Sequence, residues 1–197
     1  MKLINLILIL CSSLFFIHCK ADSGQSTIEF NVDKTLLGED CKIDSLNFIF
    51  SVPSGWVKMD EKILTQARQQ LKQQSNTEQG FTTGLLEFYL DSLSGSFCSL
   101  SRIYPANDIN NMELIKRYRS DLQQKYQSLG IKEGDFVINQ VKVSQFLVMT
   151  DEKVLFKLLL TLKDDSFLQI DYAIDQNIYA QYINKVESSI GSINLTK

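Results

Sequence analysis

Between Asn47 and Val52 every second residue is apolar, so Phe48, Phe50 and Val52 share one side of an extended chain until Pro53-Ser54-Gly55 stops it. The period then lengthens. After Asp60, which can cap a helix, Ile63, Leu64, Ala67 and Leu71 recur at helical spacing to about Gln74, and Met59 with Leu64 stands at the positions of a hydrophobic staple. The segment "QSNTEQG" reads as a loop. Two strands follow, about Leu85 to Leu90 and Ser96 to Tyr104, joined by the turn-rich "DSLSG". Asn110 and Glu113 have capping-box spacing for a second helix, Met112 to Leu129, with Ile115, Tyr118, Leu122, Tyr126 and Leu129 inward and Gly130 at its stop.

Past Gly134 the period returns to two. Phe136 to Val141, Val143 to Thr150, Val154 to Lys163 and Phe167 to Ile174 predict four successive strands, with turns near Asp151-Glu152 and Asp164-Asp165-Ser166. The third carries Phe156, Leu158, Leu160 and Leu162 on one face and Leu155 and Leu159 on the other, so it belongs in the middle of a sheet covered on both sides. The fourth keeps Leu168, Ile170, Tyr172 and Ile174 together, with Gln169 and Asp171 opposite. Asp175 then caps a last helix with Ile178, Tyr182, Val186 and Ile190 on one side. The class is α+β: a mainly antiparallel sheet with helices on both faces.

Upstream of this pattern lies a different one. Lys2 precedes an almost wholly apolar run, Leu3 to Ile17, interrupted only by Asn5 and the Ser12-Ser13 pair, which is the build of a secretory signal. About fifteen residues fall short of the roughly 20 that span a bilayer as a helix. The end of the run, Phe16-Ile17-His18-Cys19, resembles the lipobox of bacterial lipoproteins, with Phe16 and His18 bulkier than that box prefers, and the small polar segment Lys20 to Thr27 after it suits a flexible tether. Lipidation at Cys19 is the expectation; cleavage after Ala21, giving a soluble exported protein, is the alternative. The corresponding division is a signal peptide over 1–18, a lipid tether and linker over 19–40, and one domain over 41–197.

Either cut removes His18, the single histidine of 197 residues. A chain without imidazole has no base for a Ser-His-Asp or Cys-His nucleophile and no His-containing zinc site. Cys41 and Cys98 remain as internal thiols, too few for a four-cysteine metal centre, and no metal or other cofactor is expected. Exported chains meet oxidants, so a disulfide between Cys41 and Cys98 is expected; it would close a loop of about 57 residues and contribute about 4 kcal/mol by chain entropy. The alternative is a pair of buried thiols acting as small apolar residues.

Charge narrows the partners. The net charge is −3, and removing 1–18 takes only Lys2 from the 20 basic residues, against 23 acidic ones. No nucleic acid is expected as a partner on that balance. Lys116, Arg117 and Arg119 lie within a helical pattern as its solvated face. Asp151-Glu152 and Asp164-Asp165 sit in hairpin turns, without the ligand spacing of a calcium loop. Trp56, after the Pro-Gly corner, is expected to plug a sheet edge.

The short signature Phe50-Ser51-Val52-Pro53-Ser54-Gly55-Trp56, followed by a helix, two strands, a helix, a meander and a C-terminal helix, resembles the PsbP/Mog-like α/β/α sandwich over about residues 44–193. The resemblance implies a small binding or assembly module without a shared catalytic set, and therefore no enzyme. Two functions follow as expectations. One is a membrane-anchored lipoprotein of the cell envelope, held through its N-terminal lipid, whose domain binds an envelope protein or other partner. The other is a secreted or tethered carrier of a lipid or small apolar ligand.

Overall fold

The computed structural model describes residues 26–27, 30–74, 80–106, 109–163 and 166–196. In chain order the strands and helices are β1 (Ser26–Thr27), β2 (Leu37–Ile43), β3 (Phe48–Pro53), β4 (Val57–Lys58), α1 (Glu61–Gln74), β5 (Phe81–Leu90), β6 (Phe97–Pro105), α2 (Asn111–Lys125), β7 (Ile131–Ile138), β8 (Val141–Met149), β9 (Lys153–Thr161), β10 (Phe167–Asp175), α3 (Tyr179–Gly191) and β11 (Asn194–Leu195). Eight strands form one sheet in the order β1-β7-β8-β9-β10-β6-β5-β4, and β11-β3-β2 form a smaller one. All pairings are antiparallel except β1 with β7. The expected α+β class with a mainly antiparallel sheet is the observed one.

Each face of the large sheet has its own core. On the front face Leu100, Phe156, Leu158, Leu160, Ile170 and Tyr172 pack against the small sheet and against Val186 and Ile190 of α3. On the back face Phe81, Ile103, Phe146, Leu159 and Phe167 pack against Leu114, Tyr118 and Leu122 of α2. β9, apolar on both sides, lies fourth of the eight strands, as that pattern requires. Serines fasten α3 to the small sheet: Ser189 Oγ donates to the Ser51 carbonyl (2.6 Å), and the Ser51 N–H donates to Ser192 Oγ (2.8 Å). These bonds serve β3 at Ser51, beyond the two residues, Phe48 and Ile49, that β11 pairs.

Helix starts follow their caps. The Lys62 N–H donates to Asp60 Oδ1 (2.8 Å), the Glu113 N–H to Asn110 Oδ1 (3.0 Å), and the Asn177 N–H to Asp175 Oδ1 (2.9 Å), which opens a 3-10 turn ahead of α3. Several boundaries differ from the periodic reading. α2 ends at Lys125, not Leu129, and buries Leu114 as well as Tyr118 and Leu122. β5 starts at Phe81 and β7 at Ile131, four and five residues early: half-buried Thr82, Thr83 and Gly84 in β5 and the exposed polar run 132–135 in β7 break the apolar alternation. The β7–β8 turn falls at Asn139-Gln140, both at positive φ (46° and 70°), the geometry of a tight two-residue hairpin. Val141 therefore opens β8. The folded part also begins before 41: β2 starts at Leu37, and the Phe30 ring lies 5.6 Å from that of Phe136.

Candidate functional site

The site is built from a helical stripe that the fold leaves partly uncovered. α1 crosses the back face over β5, and Leu64 is fully buried there. Its stripe partners are not: Ile63 is 52% and Leu71 43% exposed. Together with Ala67 they form the apolar roof of a groove of about 520 Å³ between α1 and the sheet. That volume lies within the range of small-molecule sites. Arg68 ties the roof to the sheet, donating from Nε to the Leu85 carbonyl (2.8 Å) and from a second guanidinium nitrogen to the Leu86 carbonyl. Both carbonyls sit at a bulge in β5, where the ladder to β6 shifts register.

The floor is polar because three strands place polar residues side by side. Asp171 on β10 is in register with Ser99 on β6 and Lys157 on β9, and Gln169 with Ser101. Ser99, Ser101 and Asp171 line the groove. Lys157 Nζ donates to Asp171 Oδ1 (2.7 Å), with side chains only 15% and 21% exposed, and Gln169 Nε2 donates to Asp171 Oδ2. The carboxylate is therefore neutralised from one side and hydrogen-bonded from another. Nearby on α2, the Tyr118 ring packs between Phe81 and Phe146 (5.8 and 5.7 Å), and its hydroxyl has no hydrogen-bond partner among the described residues. Burial pushes this phenol well above its usual range, and the Asp171 charge adds to the shift.

The residues to which the sequence draws attention lie elsewhere. Cys19, His18 and the Asp164-Asp165 pair are outside the described residues. Cys41 on β2 and Cys98 on β6 are both in the front core, but each is a free thiol and the expected disulfide is not formed. Each sulfur has its own phenol instead. Burial pushes the Cys41 thiol up to about 11, against an opposing hydrogen bond with Tyr89. Burial also holds the Cys98 thiol well above its usual range, against a bond with Tyr172. Tyr89 and Tyr172 are the register partners of Cys98 on its two sides. Asp151 and Glu152 are exposed in their turn. Trp56 is buried in the front core with its ring 6.3 Å from that of Tyr172 on the interior strand β10, so it packs within the core and not at a sheet edge as expected. Among the described residues no three His, Cys, Asp or Glu side chains converge as a metal site requires.

A second polar cluster is structural. Asp91 is buried at the β5–β6 turn and accepts hydrogen bonds from the Leu93 N–H (3.0 Å), Ser94 Oγ (2.7 Å) and the Tyr182 hydroxyl on α3. Burial alone would raise its carboxyl, and these donors outweigh it, so the group is held below the usual carboxylate range. The cluster pins the turn to α3. No helix among the described residues is long and apolar enough to cross a membrane.

Hydrophobic periodicity does not mark the groove residues as a site, although a signal is present. Gln169 and Asp171 stand opposite the apolar face of β10, and Lys157 interrupts the apolar run of β9. Strand order, invisible to periodicity, brings them to one spot. No family model matches the chain, and no curated protein matches it. Solved structures do. The PsbP protein (CyanoP) of Synechocystis sp. PCC 6803 is 10% identical, with a TM-score of 0.52 over 81% of this chain and 93% of that one. LpqN of Mycobacterium tuberculosis, involved in cell envelope biogenesis, is 9% identical, with a TM-score of 0.47 over 76% of this chain and 83% of that one. The first likeness shows the fold, which is PsbP-like.

Proposed function

We propose that this PsbP-like chain is an exported protein, anchored to a membrane by acyl chains on Cys19, whose domain is a non-catalytic binding module with its ligand site in the groove beneath α1. The observation that carries the binding role is the groove itself: a helix stripe that the pattern of the chain would bury is left half exposed over a polar floor. Ligand sites are typically apolar concavities with a few convergent polar groups, and this one has that composition. Asp171, the one carboxylate of the lining, is tied by Lys157 and Gln169, which favours binding over a hydrolysis that needs two carboxylates across a cleft. The anchor rests on the signal-like run, the Phe16-Ile17-His18-Cys19 box and the polar stretch behind it. Multiple acyl chains hold a protein at a membrane where a single one is marginal.

The test is expression with the chain's own leader in a lipoprotein-processing bacterium, followed by intact mass and fractionation of wild type and Cys19→Ser. An N-terminus at acylated Cys19, with Cys19→Ser lost from the membrane fraction, is the expected result. A wild-type chain starting at Asp22 without lipid overturns the anchor and leaves a soluble exported binding protein. Native mass spectrometry of the same preparations addresses the module: a bound species that Ala67→Trp displaces is expected, and a bare chain after the mildest purification counts against a small-molecule site.

A further inference from the structure

The groove also carries information about what it takes. Its roof follows α1 from Ile63 to Leu71, nine residues whose ends lie about 12 Å apart along the helix, so the apolar wall is long and narrow. That shape suits an extended aliphatic chain better than a compact ring system. At the floor, Ser99 and Ser101 make no side-chain hydrogen bond among the described residues, and each hydroxyl can both donate and accept. Beside them the Lys157–Asp171 pair cancels its own charge. A charged head group would lose its hydration there without finding an unmatched counter-charge, which is costly. A hydroxylated head would exchange water for Ser99, Ser101 and the Asp171 carboxylate with no such loss.

We propose that the groove binds a single-chain amphiphile with an uncharged, hydroxyl-bearing head, its chain under Ile63, Ala67 and Leu71 and its head at Ser99, Ser101 and Asp171. The proposal rests on the binding-module reading and adds the ligand class. The probe is monodecanoylglycerol below its micelle concentration, titrated calorimetrically into the mature protein, with decanoate and decylammonium as anionic and cationic counterparts of equal chain length. Monodecanoylglycerol is expected to bind once per chain and at least tenfold more tightly than either charged probe. Ala67→Trp, which fills the groove, abolishes that binding; Ile63→Gln, at a half-exposed position that any fold tolerates, weakens it at least fivefold. Ser101→Ala weakens the glycerol ester severalfold and leaves the charged probes unchanged.

Equal affinity for all three probes, or preference for a charged one, overturns the uncharged head. If native mass spectrometry then still shows a bound species that Ala67→Trp displaces, the module reading stands and only the ligand class has failed. Absence of binding by every probe, with a dimer in sedimentation that Ala67→Trp breaks, overturns the amphiphile and gives the groove to a second copy of the chain. Absence of binding by a monomer overturns it as well.

Discussion

Lys157 and Asp171 pair in a setting where removing one partner costs more than the pair contributes. Lys157→Met leaves Asp171 half buried with only Gln169 beside it, and an expected loss of about 2 kcal/mol follows from an uncompensated, partly buried charge. The double variant Lys157→Met/Asp171→Leu should recover most of that loss, because the desolvation penalty goes with the charges. Urea unfolding of the two variants checks it: a double variant less stable than the single one refutes the account. The thiols make a second residue-scale prediction. In protein lacking residues 1–19, whose cysteines are Cys41 and Cys98 alone, the native state should show no thiol reactive toward a disulfide reagent, and unfolded, unreduced protein should show two. Cys41 ionises near 11 when folded and near 8.5 when unfolded. Its contribution is therefore complete below about pH 8.5 and lost as the pH rises through 11, up to about 3 kcal/mol. Cys41→Ala should flatten the fall of the urea midpoint across that window, and an unchanged slope would assign the fall to the buried phenols instead.

At the scale of elements, the capping residues are legible in the amino-acid sequence alone. Asn110→Ala removes the side-chain acceptor of the Glu113 N–H and should cost about 1 kcal/mol, read as a lower thermal midpoint, while Asn110→Asp should cost little. An unchanged midpoint in the alanine variant would mean that packing alone holds the first turn of α2. The strands with strong alternation are equally legible, and the central place of β9 follows from its two apolar faces. What escapes is set by neighbours. β1, β4 and β11 are two residues each and exist only because a longer strand offers an edge. Asn139-Gln140 carries no glycine to announce a tight turn, yet both residues adopt positive φ. An oxidising compartment favours a bond between Cys41 and Cys98; what engages them is decided by phenols on strands far away in sequence. The groove escapes for the same reason, since Ser99, Lys157 and Asp171 meet only through strand order. Arg68 shows a further limit: a polar residue in a glutamine-rich helix face gives no hint that it covers two carbonyls at a bulge.

Over the whole molecule, two cores back to back share one sheet, and Leu158 and Leu159 on β9 point to opposite ones. Leu158→Ala and Leu159→Ala should each cost about 2–5 kcal/mol, and because they empty different cores their effects should add to within about 0.5 kcal/mol. A strong departure from additivity in the double variant would mean that the sheet relaxes as one unit. The width of that sheet has its own consequence. β1, the first described strand, pairs with β7 at one margin, whereas the groove floor lies on β5, β6 and β10 toward the other, roughly 20–30 Å away at about 4.8 Å per strand. If Cys19 carries the anchor proposed above, the anchored end of the chain and the groove stand toward opposite margins of one sheet. On that proposal the width of the sheet separates the groove from the point of attachment. Molecules reaching the groove would come through water as dispersed monomers, so the rate of loading would follow aqueous solubility and not abundance in the bilayer.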